Sequence, residues 1–388
     1  MSNRARVLYL FDDYPQASQT YSRNEIRFVK RQMDVEVVAL KHAKSPYIGA
    51  EPYRVMASQE AFVEHARNSS ADLLHAHWLI LTKHLFEAAL ATGKPFTIRG
   101  HSFDVLPLPG CEPKPRSLKK RFKKLKRNYN SRRLHGRRHD WCAPAYLHGI
   151  APMINHSLCL GILTLPFARQ SLEMAGIKPE KIVDTFPVID FDLFHDRSPN
   201  GEGIMNAGIS LPKKNMEGYI DLATATPDKN FDLYTIDDCV ERLHEYNRAK
   251  GSPVNIVGQT PYKEMPGIYK QHQWLVYTAS KAHGTAGWPL AIPEAQAAGV
   301  GVLMERLRPD LDQFIGQAGF LFDDVEEAQE IIKQPPSDAI REAGFEQAKK
   351  SDVARNIVSL FDLWRPVVSI DYEPPHDALL PDENRSLA

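Results

Sequence analysis

Eleven short apolar runs, each followed by a segment with helical spacing, limit this chain to one class of fold. In the first half they are residues 7–11, 35–40, 73–78, 95–100 and 160–165. In the second half they are residues 203–208, 231–236, 254–258, 274–280, 301–305 and 319–323. Runs of this length without apolar/polar alternation read as parallel strands buried on both faces. Helical spacing fills residues 216–225, 239–250, 262–272 and 293–298 between them. Two successive β/α series predict two doubly wound α/β domains, with the break at the polar, turn-rich Arg197-Ser198-Pro199-Asn200-Gly201. The length of 388 residues agrees, since it exceeds one usual core and leads to an expectation of two domains of roughly 150 to 200 residues. Ligands of such domains sit at the carboxyl ends of the strands, in the cleft. Residues 371–388, rich in Pro, Asp and Glu, are expected to lack fixed structure.

Hydrophobic content of 43% and charged content of 25% are those of an ordinary globular protein and exclude disorder for most of the chain. The four cysteines, Cys111, Cys142, Cys159 and Cys239, have neither pairing nor ligand spacing, which fits a reducing cytoplasm and not a metal site. The first apolar run is too short for a signal-peptide core, and no stretch approaches 18 apolar residues, so a soluble or peripheral protein is expected.

Five segments carry candidate chemistry. In Gly287-Trp288-Pro289-Leu290-Ala291-Ile292-Pro293-Glu294-Ala295-Gln296-Ala297-Ala298-Gly299, Pro293 at the first helical position and small residues let a helix N-terminus approach a phosphate. A first-turn carboxylate, Glu294, can accept ribose hydroxyls or simply offset the helix dipole. Asn206-Ala207-Gly208-Ile209-Ser210-Leu211-Pro212-Lys213-Lys214-Asn215 is a strand end, turn and helix start whose lysines are either solvated or anion-binding. Phe96-Thr97-Ile98-Arg99-Gly100-His101-Ser102-Phe103-Asp104 ends a strand with Gly, His and Asp close together. Tyr14-Pro15-Gln16-Ala17-Ser18-Gln19-Thr20-Tyr21-Ser22-Arg23-Asn24-Glu25-Ile26 follows the first strand, where Ser18 and Thr20 can face a ligand and Thr20 can equally cap the helix. His75 and His77 alternate onto one strand face, but with no third ligand nearby they read as packing and cleft lining.

Together these segments resemble the retaining family 4 glycosyltransferases, which have the GT-B fold of two facing Rossmann-like domains. The resemblance covers about residues 6–105 and 155–365. It implies that Glu294, Leu290, Ala291, Gly208, Gly258 and Gln259 meet a nucleotide sugar, and that Lys214 neutralises the diphosphate leaving group. It also implies that His101 and Asp104 lie at the sugar end, with Lys214 as the third catalytic candidate, and that Ser18 and Thr20 face the acceptor. The chain departs from the family at Ala286, where a second glutamate is usual, and at Ile209, where an arginine is usual. Lys281 or His283 can supply a compensating group.

Residues 106–150 do not match the family core. Thirteen of the 48 basic residues lie between Lys114 and Arg138 with no acid among them, leaving about −13 for the rest of the chain. Leu118, Phe122, Leu125 and Tyr129 form one helical stripe among the cations. That stripe can pack on the protein or enter an anionic membrane. Nucleic acid is not expected, because cations alone supply no readout module.

The resemblance thus implies an N-terminal acceptor-side domain over 1–198 with the basic insertion, a nucleotide-sugar-binding domain over 199–350, and a helix over 351–370 packing back on the first domain. It implies a hexosyltransferase-type enzyme moving sugar from a nucleotide-diphosphate sugar to a saccharide or lipid-linked acceptor, with retention and without cofactor or metal. The setting would be cell-surface glycan synthesis, in the cytoplasm or on the inner face of the plasma membrane. The alternatives are an inactive GT-B protein that keeps nucleotide or glycan binding, and a nucleotide-sugar epimerase.

Overall fold

The computed structural model describes residues 4–106, 143–236 and 239–373. The basic segment with Leu118, Phe122, Leu125 and Tyr129, the cysteines Cys111 and Cys142, and the tail beyond 373 lie outside the described residues.

All eleven apolar runs are strands, with ends displaced by at most three residues. The first sheet contains β1 (Arg6–Tyr14), β2 (Asp34–His42), β3 (Tyr53–Val55), β4 (Leu73–His77), β5 (Phe96–Arg99), β6 (Cys159–Thr164) and β7 (Ile182–Asp184), all parallel, in the order β3-β2-β1-β4-β5-β6-β7. The second contains β8 (Gly203–Ile209), β9 (Phe231–Ile236), β10 (Val254–Val257), β11 (His272–Tyr277), β12 (Gly301–Glu305) and β13 (Gly319–Phe322), in the order β10-β9-β8-β11-β12-β13. The edge strands β3 and β7 were not anticipated, because three residues on a sheet margin carry too little apolar signal.

Strand order reverses direction between β1 and β4 in one sheet and between β8 and β11 in the other. At such switch points the connections leave in opposite directions and open a crevice beyond the carboxyl ends of the strands. Strand β1 shows why the sheet is buried: Val7, Leu8, Tyr9, Leu10 and Phe11 have no exposed surface, with odd and even positions feeding different cores. On one face, Val7, Tyr9 and Leu163 pack against Ile357, Leu360, Phe361 and Trp364 of the helix Val353–Trp364. Its apolar stripe thereby returns the end of the chain to the first sheet.

Two helix expectations need correction. The segment 262–272 divides into a 3-10 turn, Tyr262–Glu264, and a helix, Met265–Lys270, before β11 begins at His272. The segment 293–298 starts two residues earlier, as Ala291–Ala297, so Pro293 is the third helical residue and not the first. Proline is tolerated there because the first four N–H groups have no helical acceptor. All seven residues of this helix are buried, which is why they are small or uncharged apart from Glu294. Gly299, at φ +73°, ends the helix, and Val300 N–H donates back to Ala295 O at 2.9 Å.

Candidate functional site

Glu294 stands in the first turn of Ala291–Ala297 and is 7% exposed. Its Oε2 accepts a hydrogen bond from Tyr269 Oη at 3.0 Å. Burial pushes the carboxyl up to about 8, against the pull of the tyrosine hydroxyl. The Glu294 N–H is itself used by Leu290 O, and Ile292 N–H by Pro289 O. The amides left for an anion at this turn are therefore those of Leu290 and Ala291, a narrower set than the sequence suggested.

The raised acid has a consequence for stability. A carboxyl whose folded pKa exceeds its unfolded value stabilises the fold fully only below the unfolded pKa, and that contribution is lost as pH rises through the folded pKa. Glutamine cannot ionise. Glu294→Gln should therefore match the wild type near pH 5 and exceed it by a few kcal/mol near pH 8.5 in urea denaturation. Parallel stability profiles for the two proteins would contradict the assignment.

Lys214 follows β8, and Tyr277 ends β11, so the switch point of the second sheet brings them together. The Lys214 ammonium lies 4.5 Å from the centre of the Tyr277 ring. The residue is half-buried, but its charged end is desolvated, and burial with the neighbouring Lys213 charge lowers its pKa to about 7. No carboxylate among the described residues pairs with it. Gly208 has φ +151° at the end of β8, where a Cβ would meet only Met216 Cε at 3.9 Å, leaving the strand end open. Ile209 is half-buried beside it.

In the first domain the switch point joins the loop after β1 to His77, the last residue of β4. His101 follows β5, with its ring 4.3 Å from that of Tyr21, 4.6 Å from Trp78 and 5.3 Å from His77. Its Nε2 lies 3.1 Å from His77 Nδ1. Burial, then repulsion from His77 in its protonated form and from Arg99, hold His101 well below the usual histidine range. Asp104 is fully buried and accepts from three backbone N–H groups, Leu79 at 2.9 Å, His101 at 3.1 Å and Ser102 at 2.8 Å. It staples the His101 loop to the end of β4 and does not face the cleft.

Behind His77 lies a cluster that the sequence reading did not assemble. Glu25, on the helix Thr20–Val29, is 1% exposed. Its Oε1 meets His77 Nε2 at 3.2 Å, His75 Nε2 at 3.3 Å and the Tyr9 hydroxyl at 3.1 Å, and its Oε2 is 2.7 Å from Arg99 Nη2. Burial opposes ionisation, but Arg99, His77 and the hydrogen bonds outweigh it and hold the carboxyl well below the usual carboxylate range. Glu25 is thus the third group that His75 and His77 lacked in the sequence, and the three ligand atoms lie within 4.8 Å of one another. A cation placed among them would face the Arg99 guanidinium, so charge favours a hydrogen-bonded cluster over a metal site.

The other candidates are dispersed. Gln259 lies in the loop after β10 and donates through Nε2 to Pro46 O across the cleft at 3.0 Å, while the adjacent Gly258 has open space at its Cα. Ser18 sits in the turn before Thr20–Val29; Thr20 is the first helical residue, and the cap position, Gln19, makes no side-chain cap, so the capping role expected of Thr20 is not seen. Lys281 is engaged by Asp323 and His283 by Ser280 Oγ. Ala286 is 2% exposed, and its carbonyl accepts from Arg308 at 2.6 Å. Next to it, a Cβ on Gly287 would come 2.9 Å from Ser102 Cβ and 3.1 Å from His101 O. Glycine alone therefore lets the two domains touch at this end of the cleft. Asn24 also spans it, donating to Tyr262 Oη at 3.0 Å.

No protein-family model matches the chain. No curated protein matches it either. Solved structures do. HepE of Anabaena, crystallised with UDP and glucose, aligns with a TM-score of 0.67 over 93% of this chain and 100% of its own, at 14% identity. The fold is GT-B. Sucrose-phosphate synthase of Thermosynechococcus elongatus aligns at 0.64 over 94% and 99%, at 13% identity. The lipopolysaccharide outer core galactosyltransferase WaaB, in its apo form, aligns at 0.58 over 94% and 100%, at 12% identity.

Proposed function

We propose that this protein transfers a hexosyl group from a nucleotide-diphosphate sugar to a saccharide or lipid-linked acceptor, with retention, in the making of cell-surface glycan. The observation that carries the reading is Lys214, a desolvated ammonium with no carboxylate partner among the described residues, at the switch point of a GT-B fold. A buried cation without a counter-ion is costly unless an anion joins it. Departure of a nucleoside diphosphate develops negative charge at that place, and a fixed positive group stabilises it. Lys214 with the Leu290 and Ala291 amides would meet the diphosphate without a metal, Glu294 the ribose, the Gly258 and Gln259 loop the base, and His101 the sugar. Asp104 acts by fixing the His101 loop. Ser18 and Thr20, in the loop and helix start after β1, would face the acceptor. Like HepE, which is seen with UDP-glucose, the chain would take a uridine nucleotide. Among the described residues no helix is long and apolar enough to cross a membrane.

A thermal-shift series with UDP, GDP and ADP sugars tests the donor site, and the best stabiliser is then carried into transfer and hydrolysis assays. The expected result is stabilisation by one nucleotide class, with product formed only when Glu294 and Lys214 are intact. No stabilisation by any of them sinks the reading. A second reading, nucleotide binding without turnover, is favoured by the buried Ala286 in place of a carboxylate and by the engagement of Lys281 and His283 elsewhere. Stabilisation without any sugar released or transferred would select it.

A further inference from the structure

The buried cluster behind His101 is used by no step above, yet it determines what His101 can offer a ligand. Glu25 is ionised and accepts hydrogen bonds only, so the His77 nitrogen facing it, Nε2, must carry the proton. Burial lowers the pKa of His77, and a neutral imidazole has one N–H. Its Nδ1 is then a bare acceptor, and the His101 nitrogen 3.1 Å away, Nε2, must be the donor. By the same rule, Nδ1 of neutral His101 is left as a lone pair. No described residue hydrogen-bonds to it, and His101 is only partly buried where the domains meet.

We propose that Glu25 and His77 are positioning residues that, acting in series, hold His101 in its Nε2–H tautomer and present Nδ1 as an acceptor for a hydroxyl of the donor sugar. The proposal deepens the functional reading given above and rests on it for the identity of the ligand. An imidazole whose far nitrogen is fixed by a carboxylate has its tautomer set, and here His77 passes that constraint from Glu25 to His101. The surroundings leave little freedom. Arg99 holds Glu25 ionised, Tyr9 donates to Oε1 with His75 Nε2 3.3 Å from the same oxygen, and Thr97 fixes His75 through Nδ1 at 2.7 Å. The rings of Phe11 and Tyr21 stack on His77, at 5.2 and 5.3 Å, and keep its plane. Asp104 cannot compete for the His101 ring, since both its oxygens are taken by backbone amides.

The test is a long-range proton–nitrogen correlation spectrum of the full chain labelled with 15N-histidine, with His101 assigned by its loss in His101→Gln. The expected signature at neutral pH is a protonated Nε2 and an unprotonated Nδ1. A protonated Nδ1, an imidazolium or an averaged pair of shifts in the wild type overturns the proposal. Two variants test the relay itself. Glu25→Gln replaces the obligate acceptor with an amide that can also donate, and His77→Phe keeps a stacking ring while removing both hydrogen bonds, should the first variant not fold. Either is expected to average the His101 shifts and to lower kcat with UDP-glucose about tenfold, while UDP binding changes less than twofold. An unchanged His101 tautomer, or unchanged kcat once the tautomer is lost, overturns it. If UDP does not bind the wild type, the functional reading fails, and the spectrum still decides the relay.

Discussion

Lys214→Met is expected to reduce turnover by roughly 10²–10³-fold, the usual loss when one preorganised group that meets developing negative charge is removed. Methionine preserves the length and packing of the side chain over Tyr277, so the loss reports the charge. The pH dependence sharpens the test. In the free protein burial and Lys213 place the pKa of Lys214 at about 7, so near neutrality much of it is unprotonated. A bound diphosphate favours the ammonium. Binding must therefore take up a proton, and affinity for UDP must fall as pH rises above about 7. Titration calorimetry in buffers of different ionisation heat reads the uptake. Ionisation of the nucleotide itself is common to both proteins and drops out of their comparison. If Lys214→Met takes up as many protons as the wild type, Lys214 does not hold the diphosphate.

The largest effect on stability is expected from Arg99→Met. Arg99 is 4% exposed and carries the charge opposite Glu25, with Nη1 also donating to Thr185 Oγ1 at 3.0 Å. Removing one partner of a buried pair leaves the other charge without compensation and typically costs about 3–5 kcal/mol. The double variant Arg99→Met/Glu25→Gln removes both charges and should recover much of the loss, since replacing a whole buried pair by neutral groups is often close to neutral. Chemical denaturation of the single and double variants decides this. A double variant no more stable than Arg99→Met alone would mean that packing, and not the ion pair, sets the effect.

The central strands were legible because burial on two faces leaves continuous apolar runs, as in Val7 to Phe11 and Val302 to Met304. The three-residue edge strands were not, since one sheet neighbour requires little of sequence. Among site residues, Lys214 and Glu294 were singled out by the family resemblance, since their spacing to turns and glycines left solvated and dipole-offsetting roles open. The Glu25 cluster did not, because its members come from β1, β4, β5 and the helix Thr20–Val29, and only the strand order brings these together. A signal was present nonetheless: Arg99 ends a strand that is buried throughout, and arginine is almost never fully buried unless it is paired. The start of Ala291–Ala297 was misplaced because Pro293 fits the third helical position as well as the first.

The return of the helix Val353–Trp364 to the first sheet means that the chain crosses between the domains twice, once after β7 and once near Ser351. The two crossings are tied to each other: Ile189 N–H donates to Ser351 O at 2.9 Å, Val353 N–H donates to Ile189 O at 2.8 Å, and Asn356 Oδ1 accepts from Phe186 N–H at 2.8 Å. A single tether would let the halves swivel and slide in any direction. Two tethers bonded side by side remove twisting and shear and leave rotation about the line through them. Opening at Gly287 and Ser102 is then expected to run as a hinge about that line.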